Sequence, residues 1–329
     1  MTEPAPSRRR DTALRTMLRS SGFADWSVEP LAGDASSRRY FRLGLAGRQA
    51  IVMDADPALG HDTRKFAVIS KHLRDAGLCA PEIFAAAHDD GFLILEDLGA
   101  TDLASHLARF PETEAALYGA ATEMLLALRD LDPPAGLAAL TPEVAGEMVE
   151  ITALYYADVD PAPLREATTR LFARHAPEAD RLALRDFHAE NLIWRPERAG
   201  LDRLGLLDFQ DAFLAPDGYD LVSLLRDIRR EVSPEIVRAA TARYAQAIGA
   251  DEEFGTRLAV LGAQRNLRIL GVFARLARTR GPTRHLTLIP RVWEELQKDL
   301  AHPALSDLRD LVARHLPPPA PAFLTRLTA

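Results

Sequence analysis

Two short stretches of the chain carry side chains whose types and spacing could do chemistry. In Leu184-Arg185-Asp186-Phe187-His188-Ala189-Glu190-Asn191-Leu192-Ile193-Trp194 an aspartate is followed five positions later by an asparagine and then by an apolar run. Seventeen residues after Asn191, a second apolar run, Leu206-Leu207, delivers Asp208. Phosphoryl transfer asks a protein for little covalent chemistry: an acceptor for the hydroxyl proton, oxygen ligands for Mg²⁺, and cations across the β- and γ-phosphates. Mg²⁺ is a hard ion that takes one or two carboxylates with an amide oxygen and waters. Asp186 as the base, with Asn191 and Asp208 as metal ligands, supplies that set. A lone aspartate is more often a helix cap or a surface charge. The spacing and the flanking strands set this one apart.

A third polar stretch lies upstream. Gly33-Asp34-Ala35-Ser36-Ser37-Arg38-Arg39 is a small loop whose backbone N–H groups and Ser36 and Ser37 hydroxyls could bind phosphate oxygens. Arg38 or Arg39 could add a bidentate contact. By itself such a loop is an ordinary turn.

Periodicity gives the elements that must position these residues. Thr12 to Ser21 reads as a helix with Leu14, Met17 and Leu18 on one face. Tyr40 to Leu43 alternates, Gly44 to Gly47 predicts a turn, and Gln49 to Met53 is the second strand of a hairpin. Thr63 to Ala76 predicts a helix through Phe66, Ile69 and Leu73, closed by Gly77. Pro81 to Ala87 and Phe92 to Leu95 read as strands, the second running into Glu96-Asp97-Leu98-Gly99. Beyond Gly99 the pattern is helical: Thr101 to Arg129, Pro142 to Tyr156, Pro163 to His175, Asp220 to Arg230 and most of Pro234 to Leu300. Only Leu182 to Asp211 breaks it, with two short strands and polar turns, and Pro317 to Pro321 predicts an extended segment. The expected fold is α+β and bilobal. A small antiparallel β-sheet N-lobe covers residues 1–98, and a larger, mostly helical C-lobe covers residues 99–329.

Composition removes several classes. A length of 329 residues with 47% hydrophobic and 26% charged residues is that of a globular protein with a sizeable core. No apolar run is long enough to span a bilayer, and no apolar stretch follows the N-terminal arginines as in a signal peptide. The single cysteine, Cys79, cannot form an internal disulfide, which fits the cytoplasm. A net charge of −7 argues against a nucleic-acid partner. Lys65, Lys71 and Lys298 are the only lysines, so most roles that normally need a lysine fall to arginine.

Asp186-Phe187-His188-x-x-Asn191 with a strand-borne Asp208 resembles the catalytic-loop and metal-loop pair of protein-kinase-like folds. Within them it is closest in form to the aminoglycoside phosphotransferase and choline kinase branch. The resemblance implies a protein-kinase-like fold using ATP and Mg²⁺. Asp186 would be the catalytic aspartate, Asn191 and Asp208 the Mg²⁺ ligands, and His188 a brace for the loop. It places Ser36, Ser37 and Arg38 in the phosphate-covering loop, and Glu96 and Leu98 in the hinge whose backbone reads adenine. Asp220 resembles the family's helix-start aspartate, a role close to that of an N-cap. Two positions depart from the pattern. Leu184 stands where the catalytic loop usually opens with His, and Met53 stands where the strand lysine should pair with the phosphates. Either a lysine of the following helix, Lys65 or Lys71, or an arginine from residues 33–42 covers the phosphates, or activity is lost; an arginine is the favoured expectation, since a permanently charged fork suits phosphate.

About a dozen residues separate Asp208 from Asp220, too few for a peptide-holding activation segment, which points to a small acceptor. The stretches Gly33 to Leu43, Leu204 to Ala212, Gln264 to Leu276 and Pro290 to Trp293 look like the bacterial N-acetylmuramate/N-acetylglucosamine anomeric kinases. Those kinases also lack the strand lysine. That resemblance implies transfer of phosphate from ATP to the C1 hydroxyl of an amino sugar, for peptidoglycan recycling. Arg265, Arg268 and Arg275 fall near one helical face and could meet the lactyl carboxylate of a muramic acid. Glu147 and Tyr155 lie on the helix that lines the acceptor cleft in related folds. Nothing in the chain points to an oligomer, so a monomer is expected. Two other readings remain at this point: a same-fold kinase for an aminoglycoside, choline-like alcohol or other sugar, and a nucleotide-binding pseudokinase suggested by Met53 and Leu184. Retention of Asp186, Asn191 and Asp208 together favours an enzyme.

Overall fold

The computed structural model describes residues 5–31, 37–281 and 284–328. The chain begins with α1 (Ala5–Ser20), β1 (Ser27–Pro30), β2 (Arg39–Leu45), β3 (Arg48–Asp54), α2 (Thr63–Asp75), β4 (Ile83–Ala87) and β5 (Phe92–Glu96). Next come α3 (Leu103–Arg109), α4 (Glu114–Arg129), α5 (Pro142–Thr152) and α6 (Ala162–His175). Four three-residue strands follow: β6 (Arg181–Ala183), β7 (Leu192–Trp194), β8 (Leu204–Leu206) and β9 (Phe213–Ala215). The chain then forms α7 (Tyr219–Leu225), α8 (Pro234–Ile248), α9 (Phe254–Arg280), α10 (Arg284–Leu300), α11 (Ser306–His315) and α12 (Pro321–Arg326). These elements form two compact units, residues 1–103 with 191–211, and residues 104–190 with 212–329. The sequence groups everything beyond residue 98 with the helices; the contacts place Asn191 and Asp208 with the sheet.

In the first unit the five strands form an antiparallel sheet in the order β1-β2-β3-β5-β4. The β2–β3 hairpin closes on Ala46 and Gly47, both with left-handed backbone (φ 48° and 79°). That is the two-residue geometry whose twist matches the strands it joins. Gly44 already pairs with Gln49 in the ladder, so the turn is tighter than its glycines suggest. One sheet face buries Leu43, Ala50, Val52, Phe92 and Ile94 against Leu14, Met17 and Leu18 of α1. β1 was not expected from the sequence. All four of its residues are exposed, so it has no inside–outside alternation to read. The β7–β8 pair belongs to this unit through backbone bonds, Leu206 N to Cys79 O at 2.7 Å and Trp194 N to Thr101 O at 2.9 Å. Ile193 and Leu207 pack on Leu98 and Cys79.

The second unit is organised on α9, whose 27 residues pack against α5 and α10. A side chain at Gly271 would come within 2.5 Å of the Thr152 backbone nitrogen, so glycine is what lets α9 approach α5 this closely. Thr152 Oγ1 donates to the Leu267 carbonyl across the same contact. Val149, Leu267, Leu270, Ile289 and Leu296 form the centre of the core. The expected helix over Thr101 to Arg129 is broken by a 3₁₀ turn at Pro111–Thr113, where proline lacks the N–H a continuing helix needs. α7 stops at Leu225, short of Arg230, and Asp227 Oδ1 instead accepts from Arg229 N at 2.9 Å. The β6–β9 pair adds a second strand pair where one was expected, and Pro321 opens α12 rather than ending an extended run. Among the described residues, no helix is long and apolar enough to cross a membrane.

Candidate active site

A cavity of about 310 Å³ lies within the sheet unit. Its walls are aliphatic: Leu31, Ile51 and Leu95 with the sheet, and Leu98, Ile193 and Leu207 with the β7–β8 segment. Such a slot suits a planar base. Glu96 and Leu98, the two candidate hinge residues, both line it. The Glu96 carboxylate accepts from Glu82 N at 3.2 Å and Arg74 Nη1 at 3.3 Å. Asp97 holds Arg42 Nε at 2.7 Å and Gly99 N at 3.0 Å. These bonds fix the backbone that faces the slot.

The polar end of the cavity carries Arg38, Asn191 and Asp208. Met53 is almost wholly buried and does not line it, so an apolar core residue occupies the strand position expected for lysine. The register of β2 decides which of the adjacent arginines faces the cavity. Side chains alternate along a strand, and Arg38, Tyr40 and Arg42 all line the cavity. Arg39 turns to the other face, where it and Arg10 share the buried Asp54 at 2.8 Å each from their Nε atoms. Arg38 Nη1 lies 3.3 Å from Asp208 Oδ1, and its Nη2 lies 3.9 Å from Asp211. Lys65 and Lys71 are exposed on α2, and Lys71 pairs with Asp75 at 2.6 Å.

Asp208 adopts φ 56°, a left-handed conformation that costs a non-glycine residue about 1–3 kcal/mol and recurs at functional sites. Gln210, where the family usually has glycine, donates from Nε2 to Asp208 Oδ1 at 2.7 Å. Phe209 is fully buried and stacks on Phe66 of α2 at 4.7 Å between centroids, fixing the loop from behind. An amide and a carboxylate on one cavity fit Mg²⁺, which draws the rest of its coordination from water and phosphate. Among the described residues no cluster of three His, Cys, Asp or Glu side chains could hold a metal by itself. Ser36 lies outside the described residues. Ser37 is exposed, bonds His61 Nε2 at 2.7 Å and is not part of the cavity wall.

Asp186 belongs to the helical unit. The Leu184 and Arg185 amides ahead of it donate to Asp220 at 2.6 and 3.0 Å. Leu184 itself is buried, so a backbone amide anchors this stretch where the family's histidine would stand. Asp220 is not the N-cap of α7; Gly218 holds that position, and the carboxylate braces the catalytic loop instead. Burial pushes the Asp220 carboxyl up to about 7, against the two amides that pull it down. Arg185 sits at φ 76°, also in the left-handed region. His188 is buried, and burial, then the charges of Arg229 and Arg265, hold its imidazole well below its usual range. Its imidazole is therefore neutral at pH 7. Arg265 is buried and donates from Nη2 to Ser223 Oγ at 2.8 Å.

The remaining acceptor expectations scatter. Glu147 is exposed and lines a separate cavity with Arg165, Glu166 and Thr169, on the face of α5 opposite Ala145 and Val149. Tyr155 sits in the π-turn Ala153–Ala157 after α5 and packs on the core. Arg275 is exposed. Tyr40 and Ile51 line the cavity of the sheet unit without having been candidates, and Arg42, within the expected arginine segment, lines it too.

A five-stranded antiparallel sheet with an apolar slot, a D-x-x-x-x-N loop and a strand-delivered aspartate define a kinase of the protein-kinase-like class. The Phosphotransferase enzyme family matches residues 27–256, and the chain belongs to that family. It is 35% identical to an N-acetylmuramate/N-acetylglucosamine kinase of Caulobacter vibrioides, over 94% of this chain and 98% of the relative. A kinase of the same name from Pseudomonas aeruginosa is 32% identical over 86% of this chain and 87% of the relative. The choline kinase LicA from Streptococcus pneumoniae matches with a TM-score of 0.62 at 14% identity, covering 88% of this chain and 99% of that one. A thermostable mutant of an aminoglycoside phosphotransferase, in ternary complex with ADP and hygromycin B, matches with a TM-score of 0.61 at 15% identity. That match covers 86% of this chain and 97% of the other. At such identities the two structures show the fold alone.

Proposed function

We propose that this kinase transfers the γ-phosphoryl group of ATP to the anomeric C1 hydroxyl of N-acetylmuramic acid and N-acetylglucosamine, in the cytoplasm, as a step in cell-wall sugar recycling. The observation that carries the acceptor is the end-to-end similarity to relatives of that name. The anomeric position is the one the resemblance implies, and its chemistry is compatible: the C1 hydroxyl is more acidic than an ordinary alcohol, so a carboxylate base is adequate.

Asp186 accepts the hydroxyl proton as the C1 oxygen attacks the γ-phosphorus. The bond from that phosphorus to the bridging oxygen breaks, and its electron pair leaves with ADP. The aliphatic walls around Ile51, Leu98 and Ile193 hold the adenine, and the backbone at Glu96 and Leu98 reads its edge. Arg38 does the work of the missing strand lysine at the phosphates. Asn191 and Asp208 would hold Mg²⁺, which would supply charge neutralisation at the phosphates.

ADP release with Mg·ATP and four acceptors tests this reading: N-acetylmuramic acid, N-acetylglucosamine, choline and kanamycin. Turnover of the two amino sugars and neither of the others is expected. Turnover of choline or kanamycin alone would replace the acceptor. No turnover with any, despite tight ATP binding, would overturn the catalytic reading.

A further inference from the structure

The helical unit gathers three guanidinium groups near Asp186: Arg185 in the loop, and Arg265 and Arg268 one turn apart on α9. Ser223 joins two of them. Its Oγ accepts from Arg265 Nη2 at 2.8 Å and lies 3.4 Å from the Arg185 carbonyl, to which it donates. Burial, then the charge of Arg185, lowers the Arg268 pKa, with Arg265 adding to the effect and Tyr219 and Asp186 opposing it.

Cores normally satisfy such groups, and this one does not. Arg265 is 4% exposed, yet its Nη1 has no hydrogen-bond partner among the described residues, and neither has the buried Nε of Arg185. The charges of Asp186 and Asp220 act on Arg268 and Arg265, yet Arg265 Nη1 keeps an unused donor among the described residues. Asp220 has both oxygens on backbone amides, and Glu190 is taken by Arg229 at 3.1 Å and Arg284 at 3.9 Å. A buried guanidinium with an unused donor is costly unless an anion completes it.

We propose that Arg265 and Arg268, braced by Arg185 through Ser223, form a carboxylate pocket that sets the preference between N-acetylmuramic acid, which carries a lactyl carboxylate, and N-acetylglucosamine, which does not. The inference rests on the amino-sugar reading above. The anion belongs to the acceptor and not to the nucleotide, because the sheet-unit cavity has its own cation in Arg38, whereas this cluster adjoins the residue that takes the acceptor's proton. Exposed Arg275 stays outside the pocket.

The test measures kcat and KM for N-acetylmuramic acid, its lactyl methyl ester and N-acetylglucosamine, on wild type, Arg268→Met and Arg268→Lys. Truncating one side of a buried charge pair costs about 2 kcal/mol or more, some 30-fold. Arg268→Met therefore lowers kcat/KM for N-acetylmuramic acid about 30-fold, mainly through KM. The ester and N-acetylglucosamine lose less than about threefold, and Arg268→Lys recovers part of the loss. Wild type alone uses the ester at least about tenfold less well than the acid, a comparison that survives a misfolded variant. Equal losses for all three acceptors, or indifference of wild type to esterification, would overturn the pocket and leave the amino-sugar reading standing. No turnover of any of the three by wild type would overturn that reading and the pocket with it.

Discussion

The cavity of the sheet unit and the Asp186 loop of the helical unit handle charge in opposite ways. In the cavity, among the described residues, charges close on neighbours: Arg42 on Asp97, and Arg38 on Asp208, with Gln210 on the same carboxylate. Around Asp186 the arginines outnumber the acids, and two buried guanidinium nitrogens lack partners among the described residues. On the reading proposed above, the first arrangement would bind ATP by apolar shape and redirect charges that are already paired, and the second would be completed by the acceptor. One half of the chemistry would then be common to any ATP-dependent phosphotransferase, and the other would carry the choice of acceptor.

Replacements on each side should break the contrast in different currencies of measurement. The largest effect is expected for Asp186→Asn, which removes the proton acceptor and should lower kcat about 10³-fold while ADP still binds, as read by calorimetry. Next, Phe66→Ala deletes the ring stacked on Phe209 and should cost about 3 kcal/mol or more in urea unfolding. Arg38→Met should raise KM for ATP about 30-fold, since a charge-assisted phosphate contact is lost, whereas Arg39→Met should change it less than about threefold. A comparable rise for Arg39→Met would mean that the β2 register does not select the phosphate cation.

The smallest effect concerns pH. Asp299 of α10 is buried beside Arg226 and Asn266, and burial pushes its carboxyl up to about 7. A folded-state pKa above the unfolded value gives stability that is present below about pH 4 and lost as pH rises through about 7. Melting temperature should therefore fall from pH 5 to pH 8, and Asp299→Asn should flatten that slope. Asp220, shifted the same way, keeps it from vanishing.

Some of this was legible in the sequence because the informative neighbours are local. The D-x-x-x-x-N spacing, the apolar strands before Asp208, and the hairpin that orients Arg38 are contained within short stretches. The strand β1 was not legible, because an edge strand exposed along its whole length shows no alternation. Nor was the choice between Arg38 and Arg39, which differ only by which sheet face each occupies. Asp220 read as a cap because its partners, the Leu184 and Arg185 amides, lie some 35 residues away. Glu147 read as an acceptor residue from its helix alone; which face of that helix meets α9 is decided by Ala145, Val149 and Thr152, and Glu147 is not on it.

The most direct test of the central claim is ³¹P NMR of the product formed from N-acetylmuramic acid and ATP, with Asp186→Asn run in parallel. The account predicts a sugar phosphate whose phosphorus couples to the anomeric proton, formed by wild type and lost in the variant. A phosphate coupled instead to the C6 protons, or product formation undiminished in Asp186→Asn, would contradict it.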